Sequence, residues 1–361
     1  MADAPILAYL VVAALAFGVG ALALTFANQF GLRSGMIDRP RPGEAQERPL
    51  PRSGGYALYP AFFAGVLASI VLLPRFPDEW PRLAGLTIGA LLILPIAYFD
   101  DRRRLSPWPQ LAAQIGIALV AVAFTIQIDM VRRTPLPLWI AAPLTVVWIA
   151  GMINTVNFAD GVDGLAGGIG LIAATTLFVV SALQGQYSIA ALPLALAAAT
   201  LAFLRWNFFP SRLILGTSGA TLIGFLLAVF SIIGGAKIAA ALMVMGLPIA
   251  DVATVIVYRL LHRRSPFRGG DRAHLHHRLL DLGLTQRQVV AVFYALTAGL
   301  GALAISLGAT GERWPGLIPM AVVVAAVLAY VLYRTSRRPV AETARELSPL
   351  APLPQRRGGK D

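Results

Sequence analysis

The chain has 361 residues, of which 57% are apolar and 13% charged, with a mean hydropathy of +0.71; an ordinary soluble domain, about half apolar and a quarter charged, is excluded. The absence of cysteine excludes disulfides, thiolate metal sites and a cysteine nucleophile. A net charge of +12 raises nucleic acid as a partner, but where the charges lie argues against it and for a membrane surface.

Eleven apolar runs approach the roughly 20 residues that an α-helix needs to cross a hydrocarbon core of about 30 Å. In chain order they lie near 5–27, 55–74, 83–99, 109–128, 138–156, 166–184, 188–205, 219–234, 238–260, 288–307 and 316–333. The runs are continuous instead of alternating, so an all-α polytopic membrane protein is expected and not a barrel. MADAP, before the first run, has no basic segment, so that run reads as a retained helix. The loops after odd-numbered runs, taken with Arg205 and Arg259 at the ends of the runs that precede them, carry 24 of the 30 Lys and Arg residues. Basic loops stay in the cytoplasm, which puts the N-terminus outside and the C-terminus inside. A single transmembrane domain over 1–333 is expected, followed by a basic, disordered cytoplasmic tail over 334–361.

With that orientation every dense polar cluster falls on the cytoplasmic side, as expected of an active site and not of a path across the bilayer. An ion-coupled transporter would call for broken helices and related halves, and neither is evident in the sequence. The first cluster is IDRPRPGEAQERPLPRSGG. The second opens with Asp100 and Asp101 at the end of the third run, where the helix dipole disfavours carboxylates. They are either solvated acids neutralised by Arg102, Arg103 and Arg104, or ligands for a divalent cation beside a charged substrate. Farther on, NTVNFADGVDGLAGG places Asn154, Asn157 and Asp160 three residues apart, within an arc of roughly 120° on a continuing helix. An aspartate at mid-membrane costs about 2.5–3.5 kcal/mol, so the placement invites a functional explanation; a glycine-rich turn whose acids cap the next helix is the alternative. HLHH, His274 to His277, suggests zinc, but no fourth ligand is evident, and the flanking Arg268, Asp271, Arg272 and Arg278 favour an anionic ligand; a plain solvated loop is the remaining alternative.

Over roughly residues 30–280, these motifs in this order resemble the polyprenyl-phosphate N-acetylhexosamine-1-phosphate transferases, which include phospho-MurNAc-pentapeptide transferase. The undecaprenyl-phosphate GlcNAc-1-phosphate transferase subgroup is the nearer likeness, with an eleven-helix, N-outside topology. The family's DD, L-S-P and glutamine correspond to Asp100, Asp101, Leu105, Ser106, Pro107 and Gln114, and its N-x-x-N-x-x-D-G-x-D-G-L to Asn154, Asn157, Asp160, Gly161, Asp163, Gly164 and Leu165. Asn207 matches the asparagine ahead of its G-D-x-G-S motif. Asp271, Arg272, His274, His276, His277, Arg278 and Leu279 match the sugar-selecting loop, and Asp38, Pro40, Pro51, Gly54 and Gly55 match the first loop. The chain departs from the pattern at GTSGA, where Thr217 stands at the family's metal-binding aspartate between Gly216 and Gly219. Gly43, Glu44, Gln46 and Gln110 also replace residues that are usually basic or histidine.

The resemblance implies transfer of a sugar 1-phosphate, N-acetylglucosamine 1-phosphate or a related amino sugar, from a UDP-sugar to undecaprenyl phosphate with release of UMP. Such a step opens cell-surface glycan synthesis, including O-antigen and lipopolysaccharide, at the bacterial cytoplasmic membrane. The implied cofactor is Mg²⁺, with Mn²⁺ as a substitute. Asp100, Asp101 and the Thr217 position are the implied metal ligands. Asp100, Asp101, Asn157 and Asp160 make up the implied catalytic set, and Asp163, Asn207, Gly216, Gly219, Arg272, His274, His276 and His277 bind nucleotide and sugar. A homodimer is implied as well. Thr217 opens an alternative, a homologue that has lost turnover and serves as a lipid- or nucleotide-binding or scaffold protein.

Overall fold

The computed structural model describes residues 5–39, 49–131, 134–233, 237–263, 274–309 and 314–336. The tail beyond 336, the first-loop positions Pro40, Gly43, Glu44 and Gln46, and Arg268, Asp271 and Arg272 lie outside the described residues. In chain order the elements are α1 (Ile6–Ser34), β1 (Ile37–Asp38), β2 (Leu50–Pro51), α2 (Gly54–Leu72), α3 (Glu79–Arg103), α4 (Pro107–Ala123), β3 (Met130–Val131), β4 (Thr134–Pro135), α5 (Leu138–Ala159), α6 (Leu165–Leu183), α7 (Tyr187–Asn207), α8 (Gly216–Ile232), α9 (Ile238–Val244), α10 (Gly246–Leu261), α11 (Leu275–Asp281), α12 (Gln286–Ala309) and α13 (Leu317–Ser336). The protein is thus mostly helical, and among the described residues two antiparallel ribbons, β1 with β2 and β3 with β4, lie in loops.

All eleven apolar runs fall on helices. Among the described residues eight helices are long and apolar enough to cross a membrane, or nine if the bent pair α9 and α10 forms one span. Helices α4 and α8 are apolar but shorter, at 17 residues each. Large apolar side chains such as Leu7, Val71 and Trp139 are exposed on the outside of the bundle. That outward apolar surface belongs to a multi-pass membrane protein, in which lipid is the solvent.

The core is built around α8, which is buried along nearly its whole length and packs against α2, α3 and α5. Small residues allow this approach: a Cβ on Gly224 would lie 2.6 Å from the Ile153 Cα of α5, and one on Gly55 would lie 2.0 Å from the Gly219 backbone nitrogen. Without a hydrophobic drive between helices in lipid, such close backbone packing supplies much of the association.

Two local expectations are corrected. The run 238–260 is not one helix, because α9 and α10 meet at a bend of 77°. Pro248 explains it: proline has no N–H, and its ring clashes with the carbonyl four residues back, that of Val244, where α9 stops. The sequence had shown no broken helix, and this pair is one. Helix α5 ends at Ala159, so Asp160 caps its C-terminus and does not continue the stripe of Asn154 and Asn157. Helix α3 runs on to Arg103, so Asp100 and Asp101 lie in its last turn, at the helix end where the sequence puts them.

Candidate functional site

The acid pair of α3 is buried, Asp100 at 5% and Asp101 at 4% exposure. The reading of two solvated acids is therefore set aside, and the following arginines turn elsewhere: Arg102 donates to the Tyr98 hydroxyl and Arg104 pairs with Asp38 on β1. Asp101 instead accepts the Thr217 amide at 2.7 Å, the Ser218 amide at 3.2 Å and the Tyr56 hydroxyl at 3.4 Å. Asp100 accepts the Leu105 amide at 2.8 Å, the Gln110 side chain at 2.7 Å and the Thr217 hydroxyl. Gly216 makes the cradle feasible. Its φ of +72° is in the left-handed region, and a Cβ there would lie 2.9 Å from Asp101 Oδ1 and 2.8 Å from the Arg52 carbonyl.

Arg52, just after β2, balances this negative charge. Its guanidinium lies 3.8 Å from Asp101 and 3.5 Å from Asp38. Burial pushes the guanidinium pKa down, but Asp101, Asp38, Asp160 and Asp100 outweigh that and raise it overall, so Arg52 stays charged. Asp160 is pushed up to about 8, chiefly by burial in the surrounding protein and further by Asp101, against the opposing pull of Arg52. Asp101 and Asp163 thus oppose the ionisation of Asp160, as expected of a site that a cation completes. Among the described residues no three acidic or imidazole side chains come together as a metal site; Asp100 and Asp101, joined through Thr217, offer two carboxylates, the number that Mg²⁺ takes when water or phosphate oxygens fill its remaining positions.

The α5–α6 turn supplies the opposite wall. Its acids do not cap α6, whose N-cap, Gly164, has no side-chain cap bond. Asp163 instead accepts the Ser211 amide at 3.0 Å. Asn207 spends both ends of its amide inside the protein, accepting the Gly164 N–H at 3.0 Å and donating to the Leu213 carbonyl at 2.9 Å. It ties α7 to this turn, and Tyr294 of α12 adds a bond to the Gly164 carbonyl at 2.6 Å. Asn154 donates to Gln114 of α4 at 2.7 Å, and Asn157 lies 3.5 Å from Thr221 of α8.

The HLHH segment begins α11. His274 Nδ1 lies 3.0 Å from Asp251 of α10, and its ring stacks on Phe158 of α5, centroids 4.8 Å apart. The His276 ring is parallel to that of His274 at 5.8 Å. Burial, with His277 and His274 nearby, holds the His276 imidazole well below its ordinary pKa and hence neutral. Its Nε2 lies over Gly161, where a Cβ would come within 2.7 Å, so glycine is needed there.

A cavity of about 250 Å³ joins these parts. Asp38, Arg52, Arg104, Asp160, Asp163, Asn207 and His277 line it, together with Gly161, Val162, Ile214 and Gln286. Asp100, Asp101 and Thr217 sit behind Arg52, while His274 and His276 are buried beneath His277. Gly216 and Gly219 shape the backbone, Gly216 against Asp101 and Gly219 against Gly55. Arg52, Tyr56 and Asp251 were not singled out from sequence. For Asp251 a signal existed: an acid inside the apolar run 238–260. Arg52 was one basic residue among several in its loop.

Residues 83–235 match the family described as glycosyl transferase family 4. A probable undecaprenyl-phosphate N-acetylglucosaminyl 1-phosphate transferase of Bacillus subtilis is 32% identical over 74% of this chain and 76% of its own length. A decaprenyl-phosphate N-acetylglucosaminephosphotransferase of Mycolicibacterium smegmatis is 32% identical over 83% of this chain and 82% of its own. The phospho-N-acetylmuramoyl-pentapeptide-transferase of Symbiobacterium thermophilum is 31% identical over 67% of this chain and 77% of its own.

Proposed function

The chain belongs to glycosyl transferase family 4, and from that premise we propose that it transfers an N-acetylhexosamine 1-phosphate, foremost N-acetylglucosamine 1-phosphate, from a UDP-sugar to undecaprenyl phosphate. The observation that carries this reading is a single cavity shared by Arg52, Asp160, Asp163 and His277 and backed by the buried pair Asp100 and Asp101. The protein would act at the cytoplasmic face of a bacterial inner membrane, with eleven spans and the N-terminus outside. Its place would be the first membrane step of a cell-surface glycan.

In this reaction a lipid phosphate oxygen attacks the phosphorus that bears the sugar, and the bond from that phosphorus to UMP breaks. Both reactants are anions, so positioning and charge neutralisation carry most of the catalysis. Arg52 offers a fixed positive charge at the cavity wall for a phosphate oxygen. Asp163 and Asn207 hold the α5–α6 turn against the chain after α7, which fixes where a nucleotide meets the cavity, and His277 faces the sugar side. Asp100 and Asp101, with the Thr217 hydroxyl, would hold Mg²⁺, which would supply charge neutralisation and polarise the phosphoryl group when bound. The acceptor phosphate has a second pKa of about 6 by analogy with phosphoserine, so it arrives largely ionised and needs little help from a base.

One observation favours a second reading, a homologue without turnover: the Thr217 hydroxyl occupies an oxygen of Asp100 and adds no charge. The experiment is Mg²⁺-dependent UMP release from UDP-GlcNAc with undecaprenyl phosphate, for the wild type and Thr217→Asp in parallel. Wild-type turnover supports the transferase. Turnover in Thr217→Asp alone supports the second reading, and silence from both with every UDP-sugar tried rejects the first.

A further inference from the structure

We propose that Asp251 is a positioning residue: from α10 it clamps the start of α11 and thereby sets His277 at the cavity wall. The inference rests on the transferase reading for its functional consequence, but its structural content stands apart from it.

Asp251 is buried and uses both carboxylate oxygens. Oδ1 accepts the Leu275 amide at 2.7 Å and Oδ2 faces His274 Nδ1 at 3.0 Å. The Leu275 amide opens α11, and no side-chain cap comes from the N-cap residue His274 itself. A carboxylate from a different helix therefore fixes both the backbone and the first side chain of the segment. Facing a carboxylate, Nδ1 carries the proton. Nε2 is left buried with no hydrogen-bond partner among the described residues. His274 is not among the residues that line the cavity.

What the clamp holds is a stack. Phe158, His274 and His276 lie ring on ring against the end of α5, with His274 and His276 only 5° from parallel. His276 bears on Gly161, and His277 follows at the cavity beside Asp160 and Asp163. The bend of 77° between α9 and α10 sets the direction of the helix that carries Asp251. Asp251 acts through His277 and does not line the cavity itself.

The experiment uses the full chain in nanodiscs. Histidine acylation by diethyl pyrocarbonate, read residue by residue by mass spectrometry, is combined with UDP-GlcNAc kinetics for the wild type, Asp251→Asn, His277→Ala and the double variant. In the wild type, His274 and His276 should be protected and His277 reactive. Asp251→Asn still accepts the Leu275 amide but turns an N–H toward Nδ1, so it should expose His274 and His276 and raise KM about 10-fold with kcat within about 3-fold. In the His277→Ala background the same change should raise KM by less than about 2-fold, because coupled residues are not additive. Asp251→Ala serves as a second variant for the labelling. Unchanged labelling in both Asp251 variants overturns the clamp, and additive effects on KM overturn its action through His277. If the wild type turns over no UDP-sugar, the transferase reading fails, and the labelling alone still decides whether the clamp exists.

Discussion

Asp160 meets two opposed demands, since the negative charge that suits a cation is the one that burial resists. In the folded protein its pKa is pushed up to about 8 from 3.8. Between those values the unfolded chain releases the proton while the folded chain keeps it, so this group makes stability fall as pH rises. Asp160→Asn should therefore raise the melting temperature in cation-free buffer, with a gap over the wild type that widens from about pH 4 to about pH 8 and then levels. The same variant should lower transfer by about 100-fold or more, the scale expected when one preorganised electrostatic group is lost. A gap that narrows with pH, or wild-type turnover, would contradict the role given to Asp160. Thr217 poses the reverse case. Placing a carboxylate there sets a third acid against Asp100 and Asp101, so Thr217→Asp should melt lower than the wild type without Mg²⁺ and gain more on its addition, as differential scanning fluorimetry would record.

Among the elements, the short connections that tie α8 to its neighbours decide whether the site exists. Gly216 turns the chain so that the Thr217 and Ser218 amides aim at Asp101. An alanine there meets a φ of +72° and two oxygens closer than 3 Å. The left-handed conformation alone costs roughly 1–2 kcal/mol, so Gly216→Ala should lower the melting temperature and UMP release together. Gly116 of α4 has open space around its Cβ position, and Gly116→Ala is the control expected to leave both unchanged. The end of α1 follows a different rule: Gly35 adopts the left-handed form, and the Met36 amide returns to the Gly31 carbonyl at 3.0 Å. That stop directs the chain into β1, which brings Asp38 within reach of Arg52 and Arg104.

At the scale of the whole molecule, loops from five parts of the sequence meet at one end of the bundle, where the cavity lies. In the proposed orientation, which rests on the positive-inside asymmetry, that end faces the cytoplasm. Because the chain has no cysteine, single cysteines report topology cleanly. Gln184→Cys, in the loop between α6 and α7, should react with an impermeant maleimide in intact cells. Asp281→Cys, at the end of α11, should react only after permeabilisation. The opposite pattern would invert the orientation and remove the cavity from the compartment that holds nucleotide sugars.

The sequence by itself determined a polytopic helical membrane protein and brought out Asp100, Asp101, Asp160, Asp163 and the histidine segment, because apolar run length and acids stranded at helix ends are local properties of the chain. It left open whether Asp100 and Asp101 are solvated or buried, which depends on α8 closing over them. It also did not reveal Arg52 as their counter-charge, since one arginine in a basic loop has no local mark. Only the tertiary structure decided that Asn207 is spent on holding a turn, that His277 and not His274 meets the cavity, and that Asp251 stands behind both. The physical reason is the same in each case: hydrogen bonds and ion pairs between residues tens to more than a hundred positions apart depend on helix packing and on the bend at Pro248, and none of these leaves a periodic trace in the chain.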